Sequence, residues 1–256
     1  MKSSKFKIAS RFAALVSLPL LGSAVAARAD HVLVVAEQGG PIISIADNSP
    51  LDSDVTPGVI QVNTGALNAM LHDFSFTTLG SASINSGTLS QSGSVTRSGS
   101  GNANSVTITA YDTDFLFPAG NPKSMTTSST DTFGFTSQGD LRTFQSLFNP
   151  TNTAPPITGT FSPLFAFIPP TGPGPFNTSN VGFMTSLGSQ PTPFALSNTT
   201  VVTLLATTSG AATDQFFGTT MISAPDAVTP LPSVAASGMI LLGGLLGLGR
   251  SSRRSA

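Results

Sequence analysis

Two histidines, His31 and His72, one glutamate, Glu37, and two Asp-x-Asp pairs are the residues whose types and spacing suggest chemistry. The pairs are Asp52-Ser53-Asp54 and Asp112-Thr113-Asp114. On a strand, the carboxylates of such a pair share a face; in a loop they can wrap one ion, and hard oxygen ligands suit calcium. Neither pair is completed by the D-x-[DN]-x-[DN]-G pattern of a calcium loop, so a solvated turn is the better reading of each. Calcium is the only cofactor with any case, and no other is expected. His72 stands beside Asp73, but strand neighbours point to opposite faces, which argues against a working His–Asp pair. Glycoside hydrolysis needs two facing carboxyls, and one Glu among scattered Asp nominates no pair. The G-x-S-x-G elbow, the phosphate loop, the dinucleotide fingerprint and H-E-x-x-H are all missing. The chain has no cysteine, which removes thiolate metal sites, disulfides and a cysteine nucleophile. No catalytic residue is nominated, and a non-enzyme is expected, with a secreted hydrolase kept as an alternative.

The elements that must position these residues read as β. Thr, Val, Ile and Phe dominate the apolar and β-branched positions, which suits pleated, half-buried surfaces. "HDFSFTTL" sets Phe74 and Phe76 on one face, and "SVTITAYD" does the same for Val106, Ile108 and Ala110. Phe-x-Phe recurs at Phe74/Phe76, Phe115/Phe117, Phe133/Phe135 and Phe165/Phe167, a spacing that puts both rings on one side of a strand. Core packing is the favoured reading; a sugar-binding aromatic platform is weaker, because the chain has no Trp and one Tyr, Tyr111. Further strands are predicted at residues 31–36, 59–62, 88–96, 164–168 and 200–206. In "GDLRTFQSLFNP" the apolar residues recur at helical spacing and Asp140 can cap, which predicts a short helix or covering loop over a sheet edge. Residues 149–175 are dense in proline and read as long surface loops. The fold expected is all-β: a single antiparallel β-sandwich or jelly-roll-like domain with Pro/Gly-rich loops and one short helix.

Both ends stand apart from this body. Lys2, Lys5, Lys7 and Arg11 precede the apolar stretch Phe12–Ala27, and Ala27-Arg28-Ala29 is a small-x-small cleavage site before Asp30. That combination predicts a secretory signal helix over residues 1–29, removed by signal peptidase. His31 then falls near a new chain end, where looseness is expected. All 12 acidic residues lie between Asp30 and Asp226, against three basic ones, Arg97, Lys123 and Arg142, so the body carries a net charge of −9. Such a body is not expected to bind nucleic acid. N-x-[ST] occurs at Asn177 and Asn198.

The C-terminus has three parts in order. Pro230-Leu231-Pro232 forms a proline motif, Val234 to Leu248 is uncharged and glycine-rich, and Arg250, Arg253 and Arg254 follow. A helix over that apolar run reaches ~23 Å, short of a hydrocarbon core of roughly 30 Å. Arginines beside a membrane segment stay on the cytoplasmic side. The layout resembles the PEP-CTERM sorting signal of bacteria, with Leu231 where the common form has Glu; a Val-Pro-Leu-Pro-Ala type is also known. "FALSNTTVVTLLATTSGAATDQFFGTT" resembles the strand pair that often precedes this signal. The resemblance implies a C-terminal hydrophobic helix inserted transiently in the membrane, processing by an exosortase-like enzyme, and delivery to the cell surface, often alongside exopolysaccharide. It implies no shared catalytic site. Three regions follow: a signal peptide over 1–29, a β-rich extracellular domain over 30–227, and a sorting signal over 228–256. The function expected is that of an exported surface or matrix protein with a structural or adhesive role, with a lectin-like, calcium-dependent carbohydrate-binding module as an alternative.

Overall fold

The alternation in the sequence builds two antiparallel sheets. The structure, a computed structural model, describes residues 31–97, 104–205 and 212–225. Its strands are β1 (Val32–Glu37), β2 (Ile42–Ala46), β3 (Val59–Gln61), β4 (Phe74–Ile84), β5 (Thr88–Arg97), β6 (Ser105–Phe115), β7 (Lys123–Thr136), β8 (Leu141–Asn149), β9 (Thr160–Phe161), β10 (Phe165–Phe167), β11 (Gly172–Gly188), β12 (Phe194–Thr203) and β13 (Thr213–Ser223). One sheet runs β10–β8–β12–β6–β1–β2, with β9 also on β8; the other runs β11–β7–β13–β5–β4–β3. The predicted terminal helices lie outside the described residues.

The inner faces meet over one apolar core. Leu33, Val35, Ile45, Val106 and Ile108 come from the first sheet and Phe76, Leu79, Val95 and Phe133 from the second. The Phe-x-Phe reading holds for Phe74 and Phe76, both buried. It fails for Phe115/Phe117, because β6 ends at Phe115 and leaves Phe117 exposed in the following loop. Phe115 stacks on Phe194, whose ring also meets Phe148.

Residues 141–149 correct the helix expectation. They form β8, an interior strand of the first sheet, paired with β12 along its length. Arg142, Phe144, Ser146 and Phe148 all point inward, and the spacing of four between the two rings satisfies a strand face as well as a helical one. Asp140 does not cap a helix; its carboxylate accepts from Ser137 N and Leu205 N, both at 2.7 Å, and so closes the turn into β8. The one helix among the described residues, α1 (Thr64–Asn68), is instead capped by Asn63, whose side-chain oxygen accepts from Ala66 N.

The long strand β11 begins inside the proline-rich stretch read as loop. It is an edge strand, paired only with β7, where Pro173 and Pro175 forfeit no ladder bond on the open side. The two strands of residues 194–220 go to different sheets: β12 joins β6 and β8, while β13 joins β5 and β7.

Candidate functional site

The distribution of charge distinguishes this sandwich from an ordinary soluble surface. Every charged strand residue except Asp114 is buried. Glu37, Arg97, Asp112, Lys123, Asp131, Arg142 and Asp214 face inward, and the outward positions, Asp114 aside, are held mostly by Ser, Thr, Gln and apolar residues, with Tyr111 and Asn177 among them. Antiparallel register lines these up in rows across the first sheet. One row is Gln145–Thr199–Thr109–Val34–Ser44, and the next is Leu147–Ser197–Tyr111–Val32–Ala46. The second sheet carries Thr132–Gln215–Ser94–Thr78 and Ser128–Thr219–Ser90–Ala82.

On the first sheet these rows become the floor of a groove of about 310 Å³. Thr143 and Gln145 of β8, Ser197 and Thr199 of β12 and Thr109 of β6 supply hydroxyls and an amide. Ile157, Phe161 and Leu164 form an apolar wall, and all three are strongly exposed. The wall is held by Gln145, whose Nε2 donates to Ser162 O at 3.0 Å. No charged residue lines the groove. Its size falls at the low end of small-ligand pockets, ~300–1,000 Å³. Its chemistry suits a neutral ligand that presents both hydroxyls and C–H surface.

The residues singled out from the sequence are placed as follows. Asp52 organises the β2–β3 loop: Oδ1 accepts from Asp54 N and Gln61 N, and Oδ2 from Asn48 N. Asp54 Oδ1 accepts from Thr56 N at 2.7 Å, and hydrogen bonds from Thr56 hold its carboxyl below the usual range. The Asp112/Asp114 pair does not share a face. A register shift opposite Phe194–Leu196, with Asp114 at φ 61°, turns Asp112 inward and Asp114 outward. Among the described residues no three His, Asp or Glu side chains gather as a metal site. Ala27 and Ala29, Pro230, Leu231 and Pro232, and Arg250, Arg253 and Arg254 lie outside the described residues.

Three buried clusters were not legible in sequence. His31, expected to be loose, is fully buried; its Nε2 lies 2.9 Å from Ser81 Oγ and its Nδ1 3.9 Å from Asp112 Oδ2, which also accepts from Ser83 Oγ. Ser, His and Asp meet here in the order used by hydrolases, but the Ser81 hydroxyl is turned into the sandwich and also donates to Ser90 O. Glu37, only 3 % exposed, accepts from three consecutive backbone N–H groups, of His72 (2.8 Å), Asp73 and Phe74 (3.0 Å). His72 itself is exposed. Arg142 bridges the sheets: it pairs with Asp131, donates to Ser129 Oγ at 2.6 Å, and lies over the Phe144 and Phe216 rings. Burial lowers its pKa to about 10, with Asp214 pulling the other way. Burial pushes Asp214 up to about 7 against the pull of Arg142, and neither of its oxygens has a hydrogen-bond partner.

Of the two N-x-[ST] positions, Asn177 is exposed on β11. Asn198 is fully buried between the sheets, where its amide accepts from Ser146 Oγ and donates to Leu89 O, both at 2.9 Å.

Fold and surface together define an all-β sandwich with neutral, hydroxyl-lined faces. No protein-family model matches the chain, and a search of curated proteins returns no match. Among the described residues no helix is long and apolar enough to cross a membrane.

Proposed function

We propose that this protein is exported, sorted through its C-terminal segment, and retained at the cell surface or in the extracellular matrix, where its sandwich has a structural or adhesive role in contact with neutral polysaccharide. The observation that carries the polysaccharide contact is the near-absence of charge on both outward sheet faces, where Asp114 is the one exposed charged strand residue. A surface kept soluble by hydroxyls rather than ions offers neutral hydrogen-bonding partners to a sugar chain and no Coulombic attraction to nucleic acid or phosphate. Export rests on the two flanking sequences: the basic, then apolar, then Ala-Arg-Ala start, and the proline–apolar–arginine end. In this reading signal peptidase acts after Ala29 and an exosortase-like enzyme acts near Pro230–Pro232. Deleting residues 228–256 then abolishes processing and surface delivery. Unchanged surface delivery of the truncated chain contradicts the reading.

A saccharide-binding module is the second reading, favoured by the groove beneath Ile157, Phe161 and Leu164. It predicts that Thr199→Val with Gln145→Leu weakens binding of the exported protein to the producer's neutral polysaccharide. Binding that survives this double substitution removes the groove from the account.

A further inference from the structure

The topology delivers both flanking segments to the same pole of the sandwich. β1 starts at Val32, opposite Tyr111 of β6 and Ala46 of β2. β6 runs on to Phe115 and the chain crosses to Lys123, where β7 starts. Ser124 of β7 pairs with Ser223, the last residue of β13. The residues that follow segment 1–30 and precede segment 226–256 therefore lie at one end. The sequence places an apolar stretch on each: Phe12–Ala27 ends four residues before His31, and Val234–Leu248 begins nine residues after Pro225. Nine residues span at most about 30 Å, so a membrane-inserted tail keeps this pole near the bilayer.

Exposed apolar side chains collect at the same pole. Val55 (84 % exposed) lies in the β2–β3 loop, Ile84 at the β4–β5 turn, and Leu116 and Phe117 (both near 57 %) in the β6–β7 loop. These loops touch. Ser83 N donates to Gly58 O, a Cβ on Gly87 would lie 2.7 Å from Phe117 O, and one on Gly120 would lie 3.3 Å from Ala224 Cβ. Where they reach the surface, the titratable groups of the pole are acidic: Asp54 and Asp114, with Asp47 and Asp52 turned into the loop, while His31 and Asp112 are buried. Lys123 is buried, its Nζ donating to Gln190 O at 2.8 Å.

We infer that this pole seats on the surface of a lipid bilayer, with Val55, Ile84, Leu116 and Phe117 in the headgroup boundary. Its acidic rim prefers zwitterionic to anionic lipid. The inference rests on the reading above that the C-terminal segment enters the membrane before it is removed, and it adds an orientation for that inserted stage: the groove and the hydroxyl faces stand along the sides, and the pole bearing Ile42 and Ile168 points away.

The chain has no Trp, so single substitutions make clean reporters. Full-length Phe117→Trp and Val55→Trp test the pole, and Ile168→Trp, exposed at the opposite end, is the control. Each is reconstituted into phosphatidylcholine vesicles with brominated acyl chains, with and without phosphatidylglycerol. The inference expects co-flotation with the vesicles, and quenching of Phe117→Trp and Val55→Trp several-fold above that of Ile168→Trp. It also expects a smaller effect when phosphatidylglycerol is added. Co-flotation with equal quenching at all three positions overturns the seated pole while leaving tail insertion standing. Absence of co-flotation overturns tail insertion and the inference with it. A concentration-dependent blue shift of Phe117→Trp without vesicles assigns the patch to a second copy and also overturns the inference.

Discussion

Replacing Asp214 by asparagine removes a carboxyl that the sandwich interior allows to ionise only near neutrality. Asp214 lies on β13 between the sheets, facing Arg142 of β8, while Asp131 of β7 takes the ion pair with that arginine. Its pKa rises from 3.8 to about 7 because desolvation outweighs the Arg142 charge. The sign follows from proton binding. Between these values the folded chain holds a proton that the unfolded chain has released, so stability falls as pH rises. The slope of one such group is about 1.4 kcal/mol per pH unit, which accumulates to roughly 4 kcal/mol between pH 4 and 7 and then levels off. Asparagine keeps the shape and cannot ionise, so the variant loses this decline. Urea unfolding followed by far-ultraviolet circular dichroism at pH 4.5, 6 and 8 reads the effect. The wild-type chain is expected to weaken across the series and Asp214→Asn to weaken far less, overtaking it by pH 8. A wild-type midpoint that stays flat or rises, or a variant with the wild-type slope, refutes the assignment. Arg142→Met is the converse: it strands Asp131 and Asp214 without a cation and is expected to cost about 3–5 kcal/mol.

Other positions give independent outcomes. Glu37→Ala leaves three backbone N–H groups without their acceptor at a buried junction, and a loss of ~3 kcal/mol or more is expected in the same unfolding assay. Gly218→Ala puts a Cβ 2.4 Å from the Phe144 ring; an overpacking cost of about 1–3 kcal/mol should appear as a lowered Tm in calorimetry. Asn198→Ala breaks the inter-sheet amide bonds and should lower the urea midpoint, whereas Asn177→Ala, exposed on β11, should leave it unchanged.

The sheets were readable where apolar and polar residues alternate at period two, as Val106, Ile108 and Ala110 do with Thr107 and Thr109 on β6, and where β-branched residues cluster in a short apolar run, as in Val32–Ala36 of β1. β8 was misread because Phe144 and Phe148 are four apart, a spacing that one helix face and one strand face share. β11 was hidden by Pro173 and Pro175, which signal loop in a sequence and are tolerated at a sheet edge. The bulge that separates Asp112 from Asp114 depends on β12, eighty residues away, and has no local signal. The same holds for His31 with Ser81 and for Arg142 with Asp131 and Asp214: isolated polar letters in apolar strands marked positions that needed partners, but only the stacking of the sheets names them. The scarcity of charge on the outer faces follows from low charge content combined with register, which a net charge of −9 does not reveal by itself.

The central claim is that the sandwich is an exported body freed from both flanking segments. Intact-mass spectrometry of the protein recovered from the cell surface tests it most directly. The account predicts a chain that begins at Asp30 and lacks Val234–Ala256. A surface protein that retains the stretch through Arg254 and Ala256 contradicts sorting by removal of the tail, and one that retains Met1 contradicts export by signal cleavage.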